Sequence, residues 1–359
     1  MTGNRWAFGR PGAARRKLQK VCLSRIFLLA SGLFLASQAQ ATEAGWRQIT
    51  VAGAADSPAI PVALYFPTQA MARAVAMGPF TVRVAFGTSP DQRIKALILL
   101  SHGTGGSELG HSSLAEALAR DGYLVAALRH PGDNWQDRSL LQASGGRYFT
   151  ERPRQASQVI DALLRDPEWK DRIASDAQGP RVGAVGHSAG GYTVLALAGG
   201  QPDLSRIIAH CDSERADDPI FCSMGRSRPA PGSAPTPMPE IPSLTDSRVR
   251  AVVALAPMGI VFTADSLANV KIPTAVYQAD LDRFLVPRFH AEWVARNLPG
   301  TMYHRIPNAW HFAFMDSPSM PIQTEDGDIR ADPPGFDRPA FLAQLDRDVP
   351  GFFDKVFAP

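Results

Sequence analysis

The chain has 359 residues, 45% of them apolar, which is enough for one large core and suits a single large α/β domain better than two small ones. Its formal charge of +3 is set by the amino-terminal stretch, because residues 1–41 carry seven basic side chains and no acidic one. Without them 30 basic residues face 34 acidic ones, a balance of −4 that gives no reason to expect a nucleic-acid partner.

Residues 1–41 have the layout of a targeting signal: a basic stretch, an apolar run from Ile26 to Ser37, then the small-x-small pattern Ala39-Gln40-Ala41. A helix of twelve residues spans roughly 18 Å, short of the ~30 Å of a bilayer core. The reading is therefore a cleaved signal peptide, a mature chain starting near Thr42, and a periplasmic or secreted product with no stable membrane anchor. Cys22 leaves with the signal, so Cys211 and Cys222 remain, an even number in an oxidising compartment. A disulfide between them is expected; two buried free thiols are the alternative.

From Trp46 to Phe86 short alternating runs ("WRQITV", "IPVALYFP", "FTVRVAF") predict antiparallel edge strands. Continuous apolar runs then predict strands buried on both faces: "KALILLSHG" (95–103), "YLVAALRH" (123–130), "RVGAVGHS" (181–188), "RVRAVVALAP" (248–257) and "IPTAVYQAD" (272–280). Helical patterns lie between and after them, in "HSSLAEALARDG", "RPRQASQVIDALLRD", the segment after Ser188 and "PRFHAEWVARNL". The alternation implies an α/β fold with a mostly parallel sheet and helices on both faces. Residues 206–246 break the rhythm, with prolines at 229, 231, 235, 237, 239 and 242. So long an irregular interval reads as a lid or rim tied at its base by the two cysteines, or as a mobile loop in its proline-rich part.

Gly186-His187-Ser188-Ala189-Gly190 joins an apolar strand to a helix of small residues. Glycines on either side permit a sharp turn that lifts a serine hydroxyl above the sheet, at a helix amino terminus that favours negative charge. Ser188 is the candidate nucleophile. A serine needs a base, and the base an orienting carboxylate, both following it in an architecture of this order. His290 falls in a helical pattern and His304 in a strand-like one, whereas His311 sits in the loop "NAWHFAF" and is the candidate base. For the acid, "QADLDRFLVP" offers Asp282, preferred because several residues past the strand are needed to turn back, and Asp280 as the alternative. The backbone N–H groups of Thr104, in "LLSHGTGGS", and of Ala189 are the candidate oxyanion donors. His102 and His187 are expected to serve structure rather than act as bases. No metal or organic cofactor is called for.

Together "LLSHGTGG", "RHPGDN", "VGHSAGG", "DRFLVP" and "HFAF", spread from Lys95 to Phe314, resemble the α/β-hydrolase superfamily. Within it they are similar to the serine-type predicted dienelactone hydrolases and the platelet-activating-factor acetylhydrolases. The resemblance implies the α/β-hydrolase fold, in which the irregular interval 206–246 would be a lid-like insertion, adds weight to Asp282, and implies short-chain acyl esters, phospholipid-derived ones among them, as small-molecule substrates. In "HPGDN", Asp133 or Asn134 would line the pocket mouth, or the segment is a tight polar turn. Dienelactone hydrolase proper carries a cysteine nucleophile where this chain has Ser188, so the resemblance does not extend to dienelactone itself. A serine peptidase of the prolyl-oligopeptidase kind and a non-catalytic binding protein on the same scaffold are the competing readings. The oligomeric state is not legible.

Overall fold

In the computed structural model, residues 42–53, 57–90, 92–143, 146–224 and 239–358 are described. The signal-peptide reading of residues 1–41 and most of the proline-rich stretch lie outside them. Ten strands form one sheet: β1 (Glu43–Val51), β2 (Ile60–Thr68), β3 (Arg73–Met77), β4 (Phe80–Phe86), β5 (Leu97–Ser101), β6 (Leu124–Leu128), β7 (Val182–His187), β8 (Val249–Leu255), β9 (Thr274–Ala279) and β10 (Met302–Ile306). Their order is β10-β9-β8-β7-β5-β6-β2-β1-β4-β3. The six strands from β10 to β6 are parallel. β2 runs antiparallel to both β6 and β1, and β3 to β4. Only the two-residue contact of β4 with β1 is parallel at this end, so the sheet is mostly parallel with an antiparallel amino-terminal extension.

Continuous apolar runs form the centre because both faces are covered. Along β5, Leu97 and Leu99 pack into one core cluster and Ile98 and Leu100 into another. The first cluster is roofed by α2 (Arg147–Arg165), α3 (Ala189–Leu197) and α7 (Ala291–Asn297), the second by α1 (Ser112–Arg120) and α8 (Arg338–Val356). No helix of the described residues is long and apolar enough to cross a membrane.

Sequence pattern and structure part in several places. α2 begins at Arg147, five residues before the predicted segment, and contains Pro153. Proline has no N–H for the carbonyl of Phe149; the Tyr192 hydroxyl on α3 donates to that carbonyl instead, at 2.8 Å. α8 has no counterpart among the predicted elements, although Asp337 caps it by accepting the Ala340 N–H and a proline stands in its first turn. The interval expected to be irregular holds two helices, α4 (Leu204–Ser213) and α5 (Pro219–Ser223), and the short α6 (Ala264–Ala268) follows β8.

On α1, burial pushes the Glu116 carboxyl up to about 7, although its Oε1 accepts the Arg83 N–H at 2.7 Å. Burial likewise raises Asp346 on α8 to about 7. Both groups bind protons more tightly folded than unfolded, so the stability they contribute is full below the unfolded carboxylate pKa and is lost as pH rises through about 7. Glu116→Gln, which keeps the acceptor for Arg83, is therefore expected to raise the urea midpoint at pH 8 and leave it little changed at pH 4. Equal shifts at both pH values would contradict this origin.

Candidate active site

β7 runs straight into α3 through Ser188, whose φ of 58° and ψ of −116° lie outside the regions ordinary side chains prefer. The flanking glycines make the turn possible. A Cβ on Gly186 would stand 2.0 Å from the Gly190 carbonyl oxygen, and one on Gly190 1.9 Å from that of Ser101. Strand, helix and the loop after β5 therefore meet at backbone distance, and the serine side chain is held at their junction.

His311 opens a one-turn 3-10 helix (His311–Phe314) just past β10, and Asp282 lies in the turn after β9. His311 Nε2 is 2.9 Å from Ser188 Oγ and Nδ1 is 2.7 Å from Asp282 Oδ2. The other Asp282 oxygen accepts the N–H groups of Phe284 and Leu285 at 2.9 and 2.8 Å. This fixes the carboxylate, which in turn selects the tautomer with the proton on Nδ1 and Nε2 free to accept from the serine hydroxyl. The Phe284 ring stacks on the imidazole at 5.2 Å. All three residues are buried, Ser188 the least, at 9% exposure.

Asp280 takes no part in this chain. It accepts from Gln278 Nε2 at 2.8 Å and pairs with the exposed Arg305 at 3.0 Å. His304 stacks on Tyr277 in β10 and β9. His290 stands at the amino-terminal boundary of α7, and its Nδ1 accepts the Gly259 N–H at 3.2 Å. His187 packs against the His311 ring, and burial holds it well below its usual pKa, so its neutral Nε2–H donates to the His311 carbonyl at 2.9 Å.

Thr104 and Ala189 present N–H groups that make no hydrogen bond within the described residues. In a trans peptide the N–H points opposite the preceding carbonyl, so holding that carbonyl aims the N–H. The Gly103 carbonyl accepts from His102 Nδ1–H at 2.6 Å and from Gly106 N–H at 3.0 Å. His102 Nε2 accepts the His130 N–H at 3.1 Å, and burial, followed by the nearby Arg152 guanidinium, keeps the ring neutral for both tasks. On the other side the Ser188 carbonyl accepts from Met258 N–H at 3.1 Å and Tyr192 N–H at 3.2 Å. The next N–H of the loop, that of Gly105, donates to Asp133 Oδ1 at 2.9 Å, which leaves Thr104 as the free donor.

Asp133 and Asn134, the residues singled out in "HPGDN", are both buried and engaged with other groups of the protein. Asp133 is fully buried and paired with Arg152 at 2.5 Å. Asn134 closes a turn, donating to the His130 carbonyl and accepting the N–H groups of Gln136 and Asp137. Arg152 and Tyr148, whose hydroxyl is 2.5 Å from Thr104 Oγ1, were not legible as site residues. An arginine and a tyrosine on an amphipathic helix carry no sequence mark of facing inward.

Cys211 on α4 and Cys222 on α5 form a disulfide. Both sulfurs are buried against the first core cluster, so the bond is embedded in packing and is more than a tie for an outlying rim. Between them Asp218 Oδ2 lies 2.9 Å from His210 Nε2 and 2.9 Å from His290 Nε2. These three could surround a cation by distance, their ligand atoms lying within 4.8 Å of one another. The donor chemistry does not fit. His290 Nδ1 accepts a backbone N–H, so the ring proton is on Nε2, whereas a ligating histidine donates its other ring N–H. The cluster is a hydrogen-bonded tie between the disulfide hairpin and α7. Closing an 11-residue separation stabilises by about 2–3 kcal/mol. Reduction is accordingly expected to lower Tm by several degrees in differential scanning calorimetry; an unchanged Tm would show the bond to be energetically idle. A cavity of ≈ 710 Å³ lies outside the hairpin, between α4 and residues 239–241, and includes neither Ser188, His311 nor Asp282.

A parallel sheet extended by antiparallel strands, with a serine elbow after its central strand, is the architecture of an α/β hydrolase. The chain belongs to the Alpha/beta hydrolase family, whose sequence model matches residues 97–322. No curated protein matches it. Among solved structures it is similar to ferulic acid esterase from Streptomyces cinnamoneus, with 19% identity, a TM-score of 0.59, and coverage of 89% of this chain and 91% of that one. It is also similar to dienelactone hydrolase from Anabaena variabilis ATCC 29413, with 15% identity, a TM-score of 0.49, and coverage of 87% and 98%.

Proposed function

We propose that the protein is an exported serine hydrolase that cleaves carboxylic esters through an acyl-enzyme. The observation that carries this reading is the unbroken chain from Asp282 through His311 to Ser188, ending beside two free backbone N–H groups. His311 Nε2 takes the Ser188 hydroxyl proton as Oγ attacks the ester carbonyl, while Asp282 stabilises the imidazolium. The oxyanion is held by Thr104 and Ala189 N–H, donors of a kind worth roughly 100- to 1000-fold each. Collapse breaks the bond to the alcohol oxygen, which receives the proton from His311. Water, deprotonated by the same imidazole, then attacks the acyl carbon, and its proton returns to Ser188 as the acid leaves.

Short-chain acyl esters, phospholipid-derived ones included, are the substrates proposed from the resemblance. Export is supported by the disulfide and by the layout of residues 1–41. A panel of p-nitrophenyl esters of increasing acyl length, run beside a matched peptide anilide, tests the reading. Hydrolysis of the shorter esters with little anilide cleavage is expected; preference for the anilide would favour a peptidase.

A further inference from the structure

We propose that the buried Arg152–Asp133 pair is the positioning device of the oxyanion site, setting the distance between its two N–H donors. This rests on the reaction proposed above. The Arg152 side chain has no exposed surface and reaches both halves of the site from beneath. Toward the loop after β5, its guanidinium donates to the His102 carbonyl and, at 3.3 Å, to Ser101 Oγ. Its other arm holds Asp133, whose second oxygen takes the Gly105 N–H. The peptide that presents Thr104 N–H therefore lies between two braced neighbours, His102 and Gly105.

Toward α3, Arg152 Nε–H donates to Thr193 Oγ1 at 3.2 Å, and that hydroxyl donates to the Ala189 carbonyl at 2.9 Å. One planar, forked group thus spans the loop that carries the first donor and the helix start that carries the second. Its shape suits the task, because a guanidinium offers five N–H donors in fixed geometry, whereas an ammonium is a single point on a flexible stem. The surrounding acceptors are spoken for in turn. Ser101 Oγ is 2.8 Å from His130 Nε2, and His130 Nδ1 is 2.7 Å from Gln155 Oε1. Gln155 Nε2 donates to the Pro131 carbonyl at 3.0 Å. A buried network in which each of these side-chain nitrogens and oxygens has a partner is rigid and has one arrangement. Burying an ion pair is a poor way to gain stability, since apolar residues of like volume often serve as well. A site that needs two donors held to a fraction of an ångström gives the pair a purpose.

The test is steady-state ester hydrolysis with folding followed by calorimetry. Arg152→Lys keeps the charge opposite Asp133 but cannot reach both halves. Its kcat should fall by about 10- to 100-fold with KM within about twofold, because misplaced oxyanion donors act on the transition state. Thr193→Val removes only the arm toward α3 and nearly conserves volume, so it remains informative if Arg152→Lys does not fold. It should lose kcat by about threefold to tenfold, and Thr193→Ser, which restores the hydroxyl, should recover it. A folded Arg152→Lys protein with wild-type kcat, a loss confined to KM, or equal behaviour of the Val and Ser variants would overturn the proposal. Wild-type protein inactive on every ester would remove the reaction itself and the positioning role with it. An active wild type with an indifferent Arg152→Lys refutes the brace alone.

Discussion

Ser188→Ala is expected to abolish ester hydrolysis, with a loss of kcat on the order of 10⁴-fold or more, in a protein that still folds. The hydroxyl caps no helix N–H, so its removal leaves the backbone bonds of the elbow in place. His311→Ala should fall as far, since Ser188 Oγ then has no acceptor for its proton. The two losses should not add. Residues that act in one proton-transfer chain fail together, and the double variant should be little worse than either single one. Steady-state kinetics of the three proteins, with circular dichroism as the folding control, decides this. Near-normal turnover by Ser188→Ala would end the serine-nucleophile reading, and multiplicative losses would mean that the two side chains act separately.

Asp282→Asn should lower kcat by about 10⁴-fold. The asparagine oxygen can still accept from Phe284 and Leu285, so the turn survives. Its amide N–H₂ would then face His311 Nδ1 and favour the tautomer whose proton sits on Nε2, where it cannot accept from serine. Asp280→Asn loses an ion pair to an arginine that is 64% exposed, an interaction of small worth in water. Less than about a threefold change in kcat is expected there, in keeping with the weakness of exposed pairs. The reverse ranking in the same assay would move the acid to Asp280.

Much of this architecture is legible in the sequence because each part has a local cause. Strands β5 to β9 announce themselves as apolar runs between helical patterns, which only a sheet covered on both faces requires. The elbow is legible because its glycines answer a steric demand, and the order of serine, acid and histidine narrows the partners to a few positions. The structure brings Ser188, His311 and Asp282 into one hydrogen-bonded chain and sets Asp280 apart. What was not legible depends on long-range partners. Arg152 lies 19 residues from Asp133 and 50 from His102, and no spacing rule tells a buried arginine on α2 from a solvated one. Pro153 reads as a helix start because its missing N–H is normally tolerated only there; the compensating Tyr192 hydroxyl is 43 residues from the carbonyl it serves. The helices α4 and α5 are short, and their stability comes from the disulfide, the His210–Asp218–His290 tie and core contacts rather than from periodicity.

Hydrolysis by this route requires the covalent acylation of Ser188. Its most direct test is treatment of the folded protein with a fluorophosphonate, followed by intact-mass measurement and peptide mapping. One adduct per chain is expected, located on Ser188, absent from Ser188→Ala and strongly slowed in His311→Ala. A folded protein that stays unlabelled under conditions that label an ordinary serine esterase, or an adduct on any residue other than Ser188, would contradict it.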